Sequence, residues 1–405
     1  MTAALSGCGG DSGSGEVTLK LVAADYGTGE ANSSDKYWDG VARGFEASHP
    51  GIKVDVSVYS WTDVDRKVAE MVKAGKAPDI AQIGAYADYA KAGKLYSADQ
   101  MLSIPTQANF LPVLADAGRV SRVQYGLPFV ASTRLLFYNK TLFSQAGLHA
   151  PQTWSDIAGD AARLKQRGVK YPFALPLGQE ESQAETMMWL LSGGGGYTDE
   201  VGAYNIDSAE NVKTFDWLKS RLVDKGLVGP VAPGKLDRAK AFAAFTSGQV
   251  GMLNGHPTLM QEAEEKGVDV GMVPLPGAEG PSKSSMGVAD WIMGFKQNGH
   301  RIEMGKFFDY MFNDKNVIDF ADTYDMLPVT DSASASMEDD PEFKPLHKFL
   351  AALPNAEFYP VGKTSWAQAS ESIKQNIGKA VEPGANPESV LERIARESTT
   401  AENAE

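Results

Sequence analysis

Ile52-Lys53-Val54-Asp55-Val56-Ser57-Val58 alternates apolar and polar side chains without a break, so Ile52, Val54, Val56 and Val58 share one face of a strand. Upstream, Val17-Thr18-Leu19-Lys20-Leu21 repeats the alternation and then breaks into Asp25-Tyr26-Gly27-Thr28-Gly29. Between the two, Trp38, Val41, Ala42 and Phe45 recur at helical spacing until His49-Pro50-Gly51 stops the helix. Downstream, Tyr59-Ser60-Trp61 opens a loop into a helix carrying Val64, Val68, Met71 and Val72, and Gly75 ends it. Pro78-Asp79-Ile80-Ala81-Gln82-Ile83 then reads as a third strand. Strand, helix, strand, helix, strand is the order of an α/β fold.

The pattern restarts further on. Leu135-Leu136-Phe137-Tyr138 reads as a strand, Thr153-Trp154-Ser155-Asp156 has capping-box spacing, and Tyr171-Pro172-Phe173-Ala174-Leu175 is another short strand. A chain of 405 residues exceeds what one growing core supports, which predicts two lobes. With 43% hydrophobic and 22% charged residues the composition is that of a globular protein. A single cysteine excludes an internal disulfide framework, the five histidines lie too far apart for a local zinc motif, and nothing points to a cofactor. The formal net charge of −14 argues against a nucleic-acid partner, whose phosphates would be repelled.

The N-terminus carries its own signal. Leu5-Ser6-Gly7-Cys8, followed by Gly9-Gly10-Asp11-Ser12-Gly13-Ser14-Gly15, resembles a bacterial lipobox and tether, with Cys8 the lipidated residue. This predicts a protein anchored at the extracellular face of the cell membrane, touching the bilayer through that lipid alone. Only Met1-Thr2-Ala3-Ala4 precede the motif, so the leader itself is read as incomplete.

Seven further stretches stand in one order along the chain. They are Phe45 to Val54, Ala74 to Ile80, Tyr125-Gly126-Leu127-Pro128, Tyr138-Asn139-Lys140 with Ala146-Gly147-Leu148, Pro151-Gln152-Thr153-Trp154, Phe245 to Met252, and Pro274-Leu275-Pro276-Gly277. Together they resemble the extracellular solute-binding proteins that deliver sugars to ATP-driven (ABC) importers, the maltose-binding-protein-like group. Two positions depart from that pattern: His256-Pro257 follows Asn254-Gly255 where an aromatic is usual, and Gly251 precedes Met252 where Ala is usual.

The resemblance implies a periplasmic-binding-protein-like fold of two α/β lobes joined by a hinge of crossing strands, with a ligand cleft between them. The lobes would comprise residues 16–132 with 292–327 and residues 133–291 with 328–398, flanked by the tether 1–15 and a disordered tail 399–405. It implies a monomer that hands an oligosaccharide to importer permease subunits. Within the group the likeness is to actinobacterial binding proteins for malto-oligosaccharides and acarbose.

Physics points to the same cleft, because ligands of open α/β sheets bind beyond the carboxyl ends of the strands. A sugar offers an apolar C–H face and a rim of hydroxyls, so its site needs flat rings and planar polar side chains. Loops at the expected strand ends hold that mixture: Asp25, Tyr26, Trp61, Gln82, Glu180, Tyr197, Asn254, His256, Asp290 and Trp291, with Arg134 on the first crossing and Trp366 at a helix start. Trp38, Trp154 and Trp189 read as packing residues, Trp217 as exposed helix surface, and Gly193-Gly194-Gly195-Gly196 as a loop that flexes around a ligand aromatic. Arg134 reads equally as a hinge ion-pair partner. The rival readings are a sugar-sensing binding subunit and a lipid-anchored glycoside hydrolase; the latter needs two facing carboxylates about 5 to 9.5 Å apart, with Glu180 and Asp290 the pair to test.

Overall fold

The computed structural model describes residues 16–27, 29–30 and 32–404. Cys8 and the tether lie outside them. The strand alternation sets the first sheet: β1 (Val17–Ala24), β2 (Ile52–Tyr59) and β3 (Ile80–Gln82) run parallel, with β1 central and Leu21 paired with both Val56 and Ile80. A ribbon of β4 (Arg119–Val120) and β5 (Val123–Gln124) leads into β6 (Leu127–Thr133), and the chain crosses at Arg134 into β7 (Leu135–Asn139). The second sheet adds β8 (Tyr171–Phe173), β9 (Val250–Gly255) and β10 (Val270–Val273) in the order β10-β7-β9-β8. The chain returns along β11 (Ser285–Gly294), antiparallel to β3 and β6, while β12 (Ala356–Glu357) pairs with its start. Two α/β lobes joined by crossing strands is the architecture expected from the sequence.

Helices cover both sheets by the apolar stripes read from the sequence. Trp38, Val41, Ala42 and Phe45 are all buried on one face of the helix Ser34–Ser48. Trp38 stacks on Phe129 of β6 at 5.3 Å between centroids. In the second lobe the helix Ser182–Ser192 is buried almost all round, as a helix at the centre of a core must be. Gly251 explains one departure from the family pattern. A Cβ there would stand 2.5 Å from Leu164 and 2.7 Å from the Pro172 carbonyl oxygen, so even alanine is too large.

Four expectations need correction. Trp217 is half-buried, its ring 4.9 Å from Trp154 and 5.9 Å from Trp189, so it closes an aromatic cluster and is not free helix surface. The glycine loop is fastened: Asn211 donates to the Gly196 carbonyl and accepts from its N–H, which leaves no slack for a flexing loop. The stretch assigned to a disordered tail continues the helix Pro387–Asn403, whose Leu391, Ile394, Ala395 and Ser398 are buried. Finally, the chain does not leave the first lobe at residue 328. Leu111 N–H donates to the Val329 carbonyl and Asn109 to Ser332, holding the following helix against that lobe.

Candidate functional site

Between the lobes lies a cleft of about 450 Å³. The first lobe supplies Trp61, Asp65, Gly84, Ala85 and Asp88 from the carboxyl ends of β2 and β3 and the helices that follow. Val288 to Trp291 of the crossing strand β11 form the floor. The second-lobe wall is Tyr359, Lys363, Trp366, Ser370, Glu371 and Lys374, where the helix Trp366–Asn376 presents one face to the cleft.

Consecutive strand residues point to opposite faces, and these two do: Asp290 turns toward Tyr26, while Trp291 shares the other face with Met293, among Tyr86, Val120 and Phe295. Opposite them β6 slips in register: Asp290 pairs with Val130 but Trp291 pairs with Pro128, which leaves Phe129 as an extra residue on β6. Proline has no N–H for the ladder, and the extra residue bends the strand that carries it, here β6. Asp290 is anchored by a chain of donors. Gln82 Nε2 donates to the Tyr26 hydroxyl at 2.5 Å, and that hydroxyl donates to Asp290 Oδ2 at 2.7 Å. Burial pushes the Asp290 carboxyl up to about 6, against the pull of Tyr26 and of Arg134. Desolvation also raises Asp65, although the Ala85 and Gly84 N–H groups favour its ionised form.

Trp61 stands at the mouth, 39% exposed, edge-on to the Tyr26 ring at 5.3 Å. Across the cleft Trp366 stacks on Tyr359 at 5.1 Å, and the buried Tyr197 supports Trp366 from behind at 5.4 Å. Trp291 is different. Its indole is only 3% exposed, beside Tyr86 and so close to Gly118 and Gly126 that a Cβ on either would approach within 2.9 and 3.1 Å. The free stacking face expected of it is occupied by first-lobe backbone.

Of the side chains picked from sequence, Trp61, Asp290, Trp291 and Trp366 come together in this cleft, with Tyr26 and Gln82 directly behind Asp290. Gln82 is fully buried and its Oε1 accepts from Ala24 N–H, so its work is to hold β1 and Tyr26. Asp25 accepts from the Gly27 and Ser34 N–H groups and shapes the turn after β1. Tyr197 donates its hydroxyl to the Gln183 carbonyl.

The remaining picks gather elsewhere, in a polar network on the second lobe. Arg134 donates to Ser132 Oγ at 2.9 Å and faces Glu181 at 3.6 Å, the hinge ion pair that was its alternative reading. Arg238 binds Glu181 through Nε and Glu180 through Nη2, and its Nη1 meets His256 Nε2 at 3.1 Å. Glu180 also accepts from Ala239 N–H, capping the helix Arg238–Thr246. Burial, with Arg134 and Arg238 adding to it, drives His256 well below the usual histidine range, so it is neutral. Asn254 donates to Glu185 Oε1 at 2.9 Å, as does Trp189 Nε1 at 2.8 Å. Burial pushes the Glu185 carboxyl up to about 8. Arg134, Asn254 and His256, with Glu181, Glu185 and Arg238, surround a void of only about 20 Å³, which has no room for a sugar ring.

The sequence reading missed Asp65, Asp88, Tyr359, Lys363, Ser370, Glu371 and Lys374. One signal was present: Trp366, Ser370, Glu371 and Lys374 recur at helical spacing and form a polar face beginning with an aromatic.

With this geometry the chain falls in the class of two-lobed binding proteins. It belongs to the family of bacterial extracellular solute-binding proteins, whose model matches residues 41–345. Among curated relatives, a binding protein of Brucella abortus (strain 2308) is 26% identical over 392 residues, 94% of this chain and 92% of that one. The sn-glycerol-3-phosphate-binding periplasmic protein UgpB of Escherichia coli (strain K12) is 25% identical over 348 residues, 78% of each. Among solved structures, the GacH receptor of Streptomyces glaucescens, determined unliganded and with acarbose, superposes with a TM-score of 0.77 at 21% identity over 96% of this chain and 99% of that one. The cyclic α-maltosyl-1,6-maltose binding protein of Arthrobacter globiformis superposes at 0.82 with 18% identity over 96% and 100%. At these identities the structural likeness carries the fold.

Proposed function

We propose that this protein captures an oligosaccharide, a malto-oligosaccharide or an acarbose-like amino sugar, in the interlobe cleft and delivers it to the permease subunits of an ABC importer. The carrying observation is the lining of that cleft: the rings of Trp61, Tyr359 and Trp366 stand around Asp65, Asp88, Asp290 and Glu371. Rings suit the C–H faces of sugars, carboxylates accept their hydroxyls, and a protonated amine would add a charge-assisted bond. A volume of about 450 Å³ suits a short oligosaccharide better than a single sugar ring. The sugar-binding proteins among the solved structures of this fold support the same class. Glu180, which a hydrolytic mechanism would set opposite Asp290, has its two oxygens engaged by Arg238 and Ala239 N–H, which favours binding over catalysis. Lipidation at Cys8 would hold the monomer at the extracellular membrane face.

Capture proceeds by hinge closure. The lobes are joined by crossing strands, so a ligand touching both walls shifts the open–closed equilibrium. Small-angle scattering with saturating maltotriose is expected to show a smaller radius of gyration. An unchanged profile, with binding confirmed in the same sample, would contradict closure.

A further inference from the structure

Lys363 lines the cleft, but its ammonium does not simply face the ligand space. It forms an ion pair with Glu402 and lies 5.1 Å from the centre of the Tyr204 ring. The pair is largely shielded, with side chains 20% and 31% exposed. Glu402 itself is absent from the cleft lining. It sits in the last turn of the helix Pro387–Asn403, which also grips the back of the cleft-wall helix Trp366–Asn376, where Ser372 Oγ donates to Glu397. The C-terminal helix thus brings a carboxylate to Lys363 from behind the wall.

We propose that Glu402 is a specificity residue: by engaging Lys363 from outside the cleft it denies that ammonium to an incoming anion, and so biases the site against phosphate- or carboxylate-bearing ligands. The inference rests on reading this cleft as the ligand site. The charges make the bias matter. Asp65, Asp88, Asp290 and Glu371 already line the cleft, and the cations lining it are Lys363 and Lys374. An anion entering here meets carboxylates first, and a lysine held by its own partner offers little attraction; a repulsive element of this kind sets specificity without weakening the preferred ligand. With Glu402 removed, a shielded ammonium would need a new counter-charge, and a phosphate in the cleft could supply it.

The test is calorimetric titration of the wild-type protein, Glu402→Gln, Glu402→Gln/Lys363→Met and the charge-swapped Lys363→Glu/Glu402→Lys. The probes are maltotriose and sn-glycerol 3-phosphate, the ligand that the E. coli relative's name records. Glu402→Gln is expected to bind sn-glycerol 3-phosphate about tenfold more tightly than wild type at low salt, with the gain shrinking in about 0.5 M salt. The gain should vanish in the Lys363→Met double variant, and the swapped pair should exclude the anion as wild type does. Maltotriose affinity in Glu402→Gln should stay within about threefold of wild type. An unchanged anion affinity in Glu402→Gln, or a gain that persists without Lys363, overturns the proposal. If Glu402→Gln loses helical circular dichroism, the swapped pair decides: anion binding by that variant would overturn it equally. The wild-type response to maltotriose is a separate readout, since its failure alongside an anion gain would sink the oligosaccharide reading and leave the role of Glu402 standing.

Discussion

Replacing Asp290 with asparagine should stabilise the empty protein at neutral pH while weakening its grip on the ligand. Burial raises this carboxyl from 3.8 to about 6 in the folded protein. A raised folded value means that the stabilising contribution belongs to the protonated form: it is fully present below pH 3.8 and is lost as pH climbs through about 6. At 1.36 kcal/mol per pH unit, the ionised carboxylate costs the folded state about 2–3 kcal/mol above that range. Asparagine has no charge to desolvate, and its Oδ1 can still accept from the Tyr26 hydroxyl. Calorimetric melting of both proteins should therefore give similar stabilities near about pH 4, with the variant pulling ahead by about 2–3 kcal/mol at about pH 7.5. Titration with maltotriose should show the opposite trend, an affinity loss of about tenfold for one charge-assisted acceptor. A gap that does not change between the two pH values would refute the assignment of strain to Asp290, and undiminished affinity would refute its role in binding.

Trp61→Ala should weaken maltotriose binding by about 1–2 kcal/mol through lost stacking and leave the apo melting temperature nearly unchanged, because the ring is 39% exposed; a normal dissociation constant would remove it from the site. Trp291→Ala should behave as a core truncation and cost about 3–5 kcal/mol of stability, read by denaturant unfolding, and a loss below about 1 kcal/mol would contradict the buried placement. Glu185→Gln should flatten the pH dependence of stability. The wild-type carboxyl is raised from 4.5 to about 8, so its contribution, present below pH 4.5, is lost by up to about 5 kcal/mol as pH rises through 8. Parallel melting profiles for wild type and Glu185→Gln between about pH 4 and pH 9 would show that Glu185 does not carry that proton.

The first sheet was legible because alternation in β1 and β2 and the helical stripe from Trp38 to Phe45 are local signals, each fixed by one buried face. Part of the site was legible where a residue stands at or just past a strand end. Trp61, just past β2, was found that way, and Gln82, closing β3, was misjudged the same way; Asp290, in the middle of β11, stood out as a carboxylate on the expected crossing strand. A glutamine closing a strand looks identical whether it faces the ligand or turns inward to hold Ala24 and Tyr26. Asp65 and Asp88 sit in first helical turns, where acids are expected for the helix dipole alone, so nothing singled them out. Trp291 misled because alternation puts it on one face with Met293 but cannot say whether that face meets the cleft or, as here, Tyr86, Gly118 and Gly126. The second-lobe wall was hidden for a related reason, since the helix Trp366–Asn376 declares an amphipathic face but not what that face meets. Lys363 and Glu402 meet only because the C-terminal helix continues where composition suggested a tail.

The most direct test of the central claim is isothermal titration of the wild-type protein with maltose, maltotriose, maltotetraose, cellotriose and sn-glycerol 3-phosphate under one buffer condition. The account predicts saturable one-to-one binding of a malto-oligosaccharide, tightest for a chain that reaches both Trp61 and Trp366, and no comparable heat from sn-glycerol 3-phosphate. Tight binding of the phosphate ester with no response to any of the sugars would contradict it.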